Sequence, residues 1–588
     1  MIGKMTRHIF QPLENPARAF CAFCAFCGSI ASAATLQIEI QPSMNGAPLI
    51  LDSLRYKTST GEIFSVTRLT YLLSNFALEK SEGGWLEITN QFAWLDAATH
   101  RVSFEIENAP AGNFRSLRFD LGLDDAANNS DPAKREADHP LNPNLNGLHW
   151  SWQGGYIFMA LEGMFRGTNN ELRGYAYHLA RSPSRTRINL NAQLDLNSAA
   201  AVTLDFDIAT LLNAPRPLSF ERDGTATHSR EGDPIAASLI ANLPGAFRVR
   251  QISSAVSQNE KLPPVKPLYL PAKFTPYRFT MNAHFPIPDL PRDNPLIEER
   301  VRLGEKLFHE KLLSRDGTVA CASCHSDSAF SDPRKFSIGV DGQIGKRNAM
   351  PLQNLAWKSS FFWDGRAPSL RAQAMIPIQD HTEMDESPTN VCAKLSATNN
   401  YSAMFAAAFD PPEITPEKIG LAIESFVMTL ISGDSKFDRA MRGETQLSDD
   451  EKRGAELFMT EYEPRTGQFG ADCFHCHGGA LFTDNQFHNN GLDAEPDDIG
   501  REKITGRASD RGKFSTPSLR NVALTAPYMH DGRFATLEEV VNHYRRGMKR
   551  SATLDPNLAK HPDGGVPLTD ENVRDLVAFL KSLTREGR

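Results

Sequence analysis

Two short stretches place cysteine and histidine at the same spacing: "CASCH" at 321–325 and "CFHCH" at 473–477. Thiols three positions apart can each add to a vinyl group of one porphyrin, and the imidazole that follows reaches the iron from the same side. The pattern predicts one haem on Cys321 and Cys324 with His325 as proximal ligand, and a second on Cys473 and Cys476 with His477. His475, inside the second motif, reads as a bystander. Around both motifs the chain repeats itself: "RLGEKLF" at 302 precedes the first as "RGAELF" at 453 precedes the second, and "DGRAPSL" at 364 recurs as "DGRFATL" at 531. Two related haem domains with different loops are the simplest account.

The elements that position these motifs are helical. Val573, Leu576, Val577 and Leu580 mark one face of a last helix, and Ser448 to Glu451 and Thr536 to Glu539 have capping-box spacing. The expected division is a first haem domain over 294–445 and a second over 446–588. Prolines crowd together between 256 and 293 ("KLPPVKPLYLPAKFTPYRF", "FPIPDLPRDNP"), favouring extended backbone without ladder donors: a linker, or a clasp laid over a surface.

From about 290 to 588 the chain resembles the di-haem cytochrome c peroxidase family. The resemblance rests on both CxxCH motifs, "RNAMPLQN", "FFWDGRAPSLRAQAMIPIQDHTEM" and "TPSLRNVALTAPYMHDGRFATLEEVV", in that order. It implies that Gln373, Pro377 and Glu383 stand on the peroxide side of the first haem and Trp363 between the haems. A carboxylate there can take a proton from hydrogen peroxide and return it to the departing oxygen. Taken alone, Glu383 would read as a solvated loop carboxylate and Trp363 as a core aromatic. The resemblance also implies calcium held by Asn348 and the carbonyls of Thr525 and Pro527, oxygen ligands that suit a hard cation.

Two departures point to the MauG/MbnH-type branch of that family. The loop "SIGVDGQIGKRN" has Val340 where ordinary peroxidases carry a capping histidine, so the first haem is expected to be open. Tyr544 falls where they carry the methionine ligand of the second haem, and an anionic oxygen ligand stabilises oxidised iron. Met529 and His543 are the competitors for that position.

Residues 35–255 are expected to form an antiparallel β-sandwich-like domain. Apolar residues alternate at Leu36, Ile38 and Ile40, at Val102, Phe104 and Ile106, at Leu117, Phe119 and Leu121, from Ile188 to Leu196 and from Val202 to Ile208. "HPLNPNLNGLHWSWQGGYIFMALEG", "YLLSNFAL" and "YAYHLAR" resemble the MbnP family, which implies a copper site beside an oxidised tryptophan. His139, His149 and His178 are the candidate copper ligands, and Trp150 and Trp152 the candidate tryptophans for conversion to kynurenine. If "HWSWQGGY" is extended, both indoles share a face, which packing alone also explains.

With 588 residues, 40% of them hydrophobic, and a net charge of −8, the chain suits several globular domains and carries no basic footprint for nucleic acid. Residues 1–34 read as an export signal, with Lys4, Arg7 and Arg18 ahead of "AFCAFCAFCGSIASAA", a run too short to span a bilayer; a periplasmic location is expected. A metal cluster on Cys21, Cys24 and Cys27 is the competing interpretation. Cys392 reads as a free buried thiol. Three functions compete: a peroxide-dependent oxidase acting on its own front domain, a peroxidase drawing electrons from a small cytochrome or cupredoxin, and a non-catalytic electron-transfer or copper-storage protein. Val340 and Tyr544 favour the first over the second; Gln373 and Glu383 speak against the third.

Overall fold

The computed structural model describes residues 34–150, 154–254, 267–326, 330–562 and 564–585; the expected export signal and Trp152 lie outside the described residues. The chain forms two compact units. One comprises 34–131 with 148–254, the other 132–147 with 267–585. Residues 132–147, which the sequence assigns to the β domain, thus cluster with the helical half, where Asn142 Nδ2 donates to the Ile287 carbonyl at 3.1 Å.

The strand-rich unit follows the alternation. In Ala34–Met44, Leu36, Ile38 and Ile40 are fully buried while the residues between them are half-buried. Val202, Leu204 and Phe206 are likewise buried in Ala200–Asp207, where Asp205 and Asp207 are buried too, and Ile208 begins a helix, Ile208–Asn213. Two sheets result, packed through aromatic pairs such as Tyr71–Phe206 and Phe119–Phe247. Two pairings are parallel rather than antiparallel: Ala34–Met44 with Ala200–Asp207, and Leu172–Ala180 with the short strand Ala226–Thr227. Parallel neighbours need a long crossover, and for the first pair the intervening chain, including most of the second sheet, supplies it. Ile157–Arg166 is buried at every position but its last, because both its faces are covered.

The helical unit has two hydrophobic cores. In the first, Glu298–Phe308 packs on Pro416–Val427; in the second, Asp449–Phe458 packs on Asp570–Ser582. Each crossing closes on a glycine. A Cβ on Gly304 would stand 1.9 Å from the Ala422 carbonyl oxygen, and one on Gly454 1.9 Å from that of Asp575. Both expected capping boxes form, Ser448 with Glu451 and Thr536 with Glu539. The described part of the proline-rich segment is a clasp: Phe279, Met281 and Phe285 are buried in the first core, and Trp357 Nε1 donates to the Pro286 carbonyl at 2.7 Å. Among the described residues no helix is long and apolar enough to cross a membrane.

Candidate haem-binding active site

The first motif forms one helical turn, Cys321–Cys324, and the second a 3-10 turn, Cys473–His475. In each, the histidine amide donates to the first cysteine's carbonyl, at 3.0 Å for His325 and 2.9 Å for His477. Each ring is fixed in the same way: Nδ1 of His325 lies 3.1 Å from the Phe330 carbonyl and Nδ1 of His477 3.2 Å from the Phe482 carbonyl. With Nδ1–H donating there, Nε2 keeps its lone pair for iron. Burial lowers both imidazole pKa values, favouring the neutral form that a metal needs. Phe330 and Phe482 both have φ of 53°, so the second copy repeats the first down to its backbone strain. The four motif cysteines are in no disulfide. Two thiols and one oriented imidazole in each lobe fit a covalently attached haem.

On the far side of His325 lies a cavity of about 940 Å³ whose walls include His325, Trp363, Gln373, Pro377 and Glu383. The sequence-predicted residues of the first haem therefore converge. Gln373 and Pro377 come from the helix Leu370–Gln379, capped by Ser369. Glu383 follows in a turn, its N–H donating to the Asp380 carbonyl at 2.9 Å. Burial pushes its carboxyl up to about 7, reinforced by Asp380 and opposed by Arg366. The Arg366 guanidinium lies 3.5 Å over the Phe362 ring and pairs with Asp364.

The loop without a histidine serves to hold this turn. Val340, almost fully buried, donates its N–H to the Glu383 carbonyl at 2.8 Å. A Cβ on Gly339 would stand 2.2 Å from the Thr382 carbonyl oxygen and 2.5 Å from that of Glu383.

Trp363 donates from Nε1 to the Asn348 carbonyl at 2.8 Å, and Asn348 N–H donates to the His530 carbonyl, also at 2.8 Å. Trp363 and His530 occupy equivalent places in the repeated "WDGR" and "HDGR" turns, so Asn348 ties the two copies together. Its Nδ2 donates to the carbonyls of Arg334 and Lys335, which leaves Oδ1 as the atom a cation would take. Its contact with the second lobe comes at His530, just beyond Thr525 and Pro527.

The repeat also explains the second lobe's far side. Counting from the equivalent caps Ser369 and Thr536, position 377 − 369 = 8 holds Pro377 and position 544 − 536 = 8 holds Tyr544. One helical position thus carries a phenol in the second lobe and a side chain with no donor atom in the first. Tyr544 has its hydroxyl pushed up to about 12 by burial, opposed by a hydrogen bond from Asn490. His543 Nε2 is turned to the Asn490 carbonyl at 2.9 Å, away from a ligand role.

In the β unit, the two ends of "HWSWQGGY" pair with each other, His149 antiparallel to Tyr156. Trp150 N–H donates to the Gly155 carbonyl and Gly154 N–H to the Trp150 carbonyl, both at 3.0 Å, so the chain reverses here. Gly154 and Gly155 have φ of 67° and 106°, which residues with a Cβ rarely adopt. Trp150 is buried, its ring 5.3 Å from His228 and 6.3 Å from His178. His178 Nδ1 lies 3.2 Å from His228 Nε2, and His178 Nε2 lies 2.8 Å from Glu162 Oε1. Of the three candidate copper ligands, His178 is the one that stands in this pair. His149 meets Tyr156 edge-on with ring centres 4.7 Å apart, and His139 Nδ1 accepts the Leu141 N–H at 3.0 Å. His228, which the sequence does not single out, is brought in by the parallel register Tyr177↔Thr227.

Comparison with known proteins agrees with this division. Residues 298–446 match the family model described as di-haem cytochrome c peroxidase, 451–584 that described as cytochrome c, and 33–229 that of MbnP. The methylamine utilization protein MauG of Methylorubrum extorquens is 39% identical over 301 residues, covering 50% of this chain and 81% of that protein. The cytochrome c peroxidase Ccp of Escherichia coli is 35% identical over 308 residues, covering 51% of this chain and 61% of that protein. A crystal structure of a MauG-like protein associated with microbial copper homeostasis is 36% identical, covering 51% of this chain and 94% of that one, with a TM-score of 0.47. The chain belongs to the di-haem cytochrome c peroxidase family, as a MauG-like oxidoreductase that acts with peroxide, binds two c-type haems and carries an MbnP domain in front of them.

Proposed function

We propose that the helical unit is a peroxide-dependent oxidase whose substrate is Trp150 of its own front domain, and that the kynurenine formed completes a copper site with His178 and His228. The observation that carries this reading is the burial of Trp150 against a paired imidazole, a donor set that suits copper. Trp152, the other candidate, lies beside it in sequence and is distinguished by the same experiment. Calcium at Asn348, Thr525 and Pro527 and export to the periplasm belong to the same reading.

When bound, the haems supply the redox chemistry by which hydrogen peroxide is reduced. The chain's own part is proton handling and electron conduction. Glu383, held near neutral pKa by burial, accepts a peroxide proton and returns it to the leaving oxygen. Gln373, on the wall beside it, offers an amide to orient the peroxide. Pro377 leaves the peroxide side open where Tyr544 closes the second lobe. Trp363, anchored through Asn348 between the two repeated turns, offers the aromatic step from one lobe to the other. Fusion of enzyme and target in one chain raises the effective concentration of the target indole.

Intact mass and peptide mapping of the haem-loaded protein, before and after hydrogen peroxide, test this. The expected result is a kynurenine at Trp150 or Trp152 that is absent from Tyr544→Phe. Unmodified tryptophans in fully loaded, peroxide-treated protein would leave a peroxidase fed by a small cytochrome or cupredoxin.

A further inference from the structure

One polar side chain in the second lobe touches both groups that compete for the far side of its haem. Asn490 Nδ2 lies 3.3 Å from the Tyr544 hydroxyl oxygen and 3.4 Å from the Met529 sulfur. The backbone carbonyl of Asn490 accepts from His543 Nε2, so the third competitor is engaged by the same residue. Asn490 is itself firmly placed. Its neighbour Asn489 donates from Nδ2 to Ser551 Oγ at 3.2 Å and to Thr553 Oγ1 at 2.9 Å, and accepts the Gly491 N–H at 2.9 Å. Lys549 N–H closes the far side on the Gly491 carbonyl at 2.8 Å.

A carboxamide has two N–H donors at a fixed angle. Here they meet acceptors of unequal strength, a phenol oxygen and a thioether, and a thioether is the weaker acceptor. A hydrogen bond to an ionised oxygen is about twice as strong as one between neutral groups, so the same contact favours the anionic form of the tyrosine.

We propose that Asn490 is the positioning residue for the second haem's far-side ligand: one N–H donates to the Tyr544 oxygen while the amide restrains the Met529 sulfur, so that oxygen ligates and sulfur stays a neighbour. The inference rests on reading Tyr544 as the ligand. A donor on the ligand oxygen withdraws electron density from the iron, as hydrogen bonds to ligands do generally. Asn490 therefore sets both which atom binds and how strongly it donates.

The test uses the haem-loaded full chain and reads the phenolate bands in the resonance Raman spectrum together with the second haem's midpoint potential. Asn490→Leu removes both N–H groups at similar size. The expected result is shifted phenolate bands with a potential lower by about 59 mV, a tenfold change for a one-electron couple. Replacement of those bands by a thioether-to-iron charge-transfer band would also support the proposal, as exchange to Met529. Asn490→Gln, which keeps the donors, should move the bands back towards wild type. In a Tyr544→Phe background, Asn490→Leu should not lower the potential further, because the lowering acts through the Tyr544 oxygen. If Tyr544→Phe abolishes the bands but Asn490→Leu is superimposable on wild type, tyrosine ligation stands and the role of Asn490 is overturned. If wild type lacks phenolate bands, or Tyr544→Phe retains them, the ligation reading itself fails and the inference with it. Should Asn490→Leu fail to attach haem, Asn490→Ala is read by the same criteria.

Discussion

Replacing Glu383 by Gln keeps the size of the side chain and removes its charge, and two consequences can be worked out. The carboxyl rises from its ordinary 4.5 to about 7, chiefly through burial. Between those values the folded protein holds the proton more tightly than the unfolded chain does, so the free energy of unfolding falls as pH rises. At roughly 1.4 kcal/mol per pKa unit, the loss across the window is about 3 kcal/mol. The stability is fully present below about pH 4.5 and gone above about pH 7. Glutamine does not titrate, so Glu383→Gln should gain about 3 kcal/mol over wild type between mildly acidic and mildly alkaline buffer, read from denaturant midpoints at each pH.

The second consequence is kinetic. A base that accepts the peroxide proton works only as the carboxylate, so the second-order rate of the Soret change on mixing with peroxide should rise with pH and level off above about 7. Glu383→Gln should lower that rate by about 10²–10⁴-fold and flatten the profile. A variant within about tenfold of wild type, or one that keeps the inflection, would refute proton transfer by Glu383. A flattened rate profile without the stability gain would mean that the carboxyl is not held near neutral pKa by burial.

Arg366 opposes the rise in the Glu383 pKa, so Arg366→Gln should move the inflection of the same rate profile upwards; an unmoved inflection would show that the guanidinium over Phe362 does not act on the carboxyl. Tyr544→Phe should abolish phenolate absorption while mass spectrometry still finds both haems attached, and a persisting band would assign it elsewhere. Gly339→Ala drives a Cβ into the carbonyls of Thr382 and Glu383; it should cost about 1–3 kcal/mol in a denaturant titration and slow the peroxide reaction, with no change in haem content. In peroxide-treated protein, His228→Ala should weaken copper(II) at least tenfold by competition titration while His149→Ala leaves it unchanged, and equal effects would point to a different ligand set.

Much of this was legible in the sequence because it depends on local spacing. The CxxCH motifs, the capping boxes at Ser448 and Thr536 and the alternation of Leu36, Ile38 and Ile40 are settled within a few residues of one another. What escaped depends on distant pairing. His228 follows a two-residue strand whose parallel register with Leu172–Ala180 no periodicity reveals. The buried apolar face of the proline-rich segment could be seen only once Phe279, Met281 and Phe285 had a core to enter. The turn at Trp150 needed Gly154 and Gly155 to be read as backbone rather than as spacers in a strand. Nothing in the sequence near Asn490 points to Met529 and Tyr544, which reach it from two other elements.

The two lobes show how one frame yields two haem environments. The elements that carry the chain around each haem are the same in both: the crossing glycines Gly304 and Gly454, the left-handed Asn354 and Asn521 at 60° and 61°, and the left-handed Phe362 and Met529 ahead of each repeated turn, at 68° and 74°. Such positions constrain the backbone, and a change in any of them would disturb packing in its lobe. The chemistry is then varied at side chains that project from this frame. Eight residues past equivalent caps, one lobe carries a proline, without a donor atom, and the other a tyrosine. Pro377 stands two residues before the end of its helix at Gln379, and Glu383 follows on the cavity wall. In the second lobe the equivalent helix also ends two residues on, at Arg546, so helix length belongs to the shared frame. The two lobes therefore differ at this point in the side chain alone: the same helix, ending at the same place, carries a proline in one and a phenol in the other.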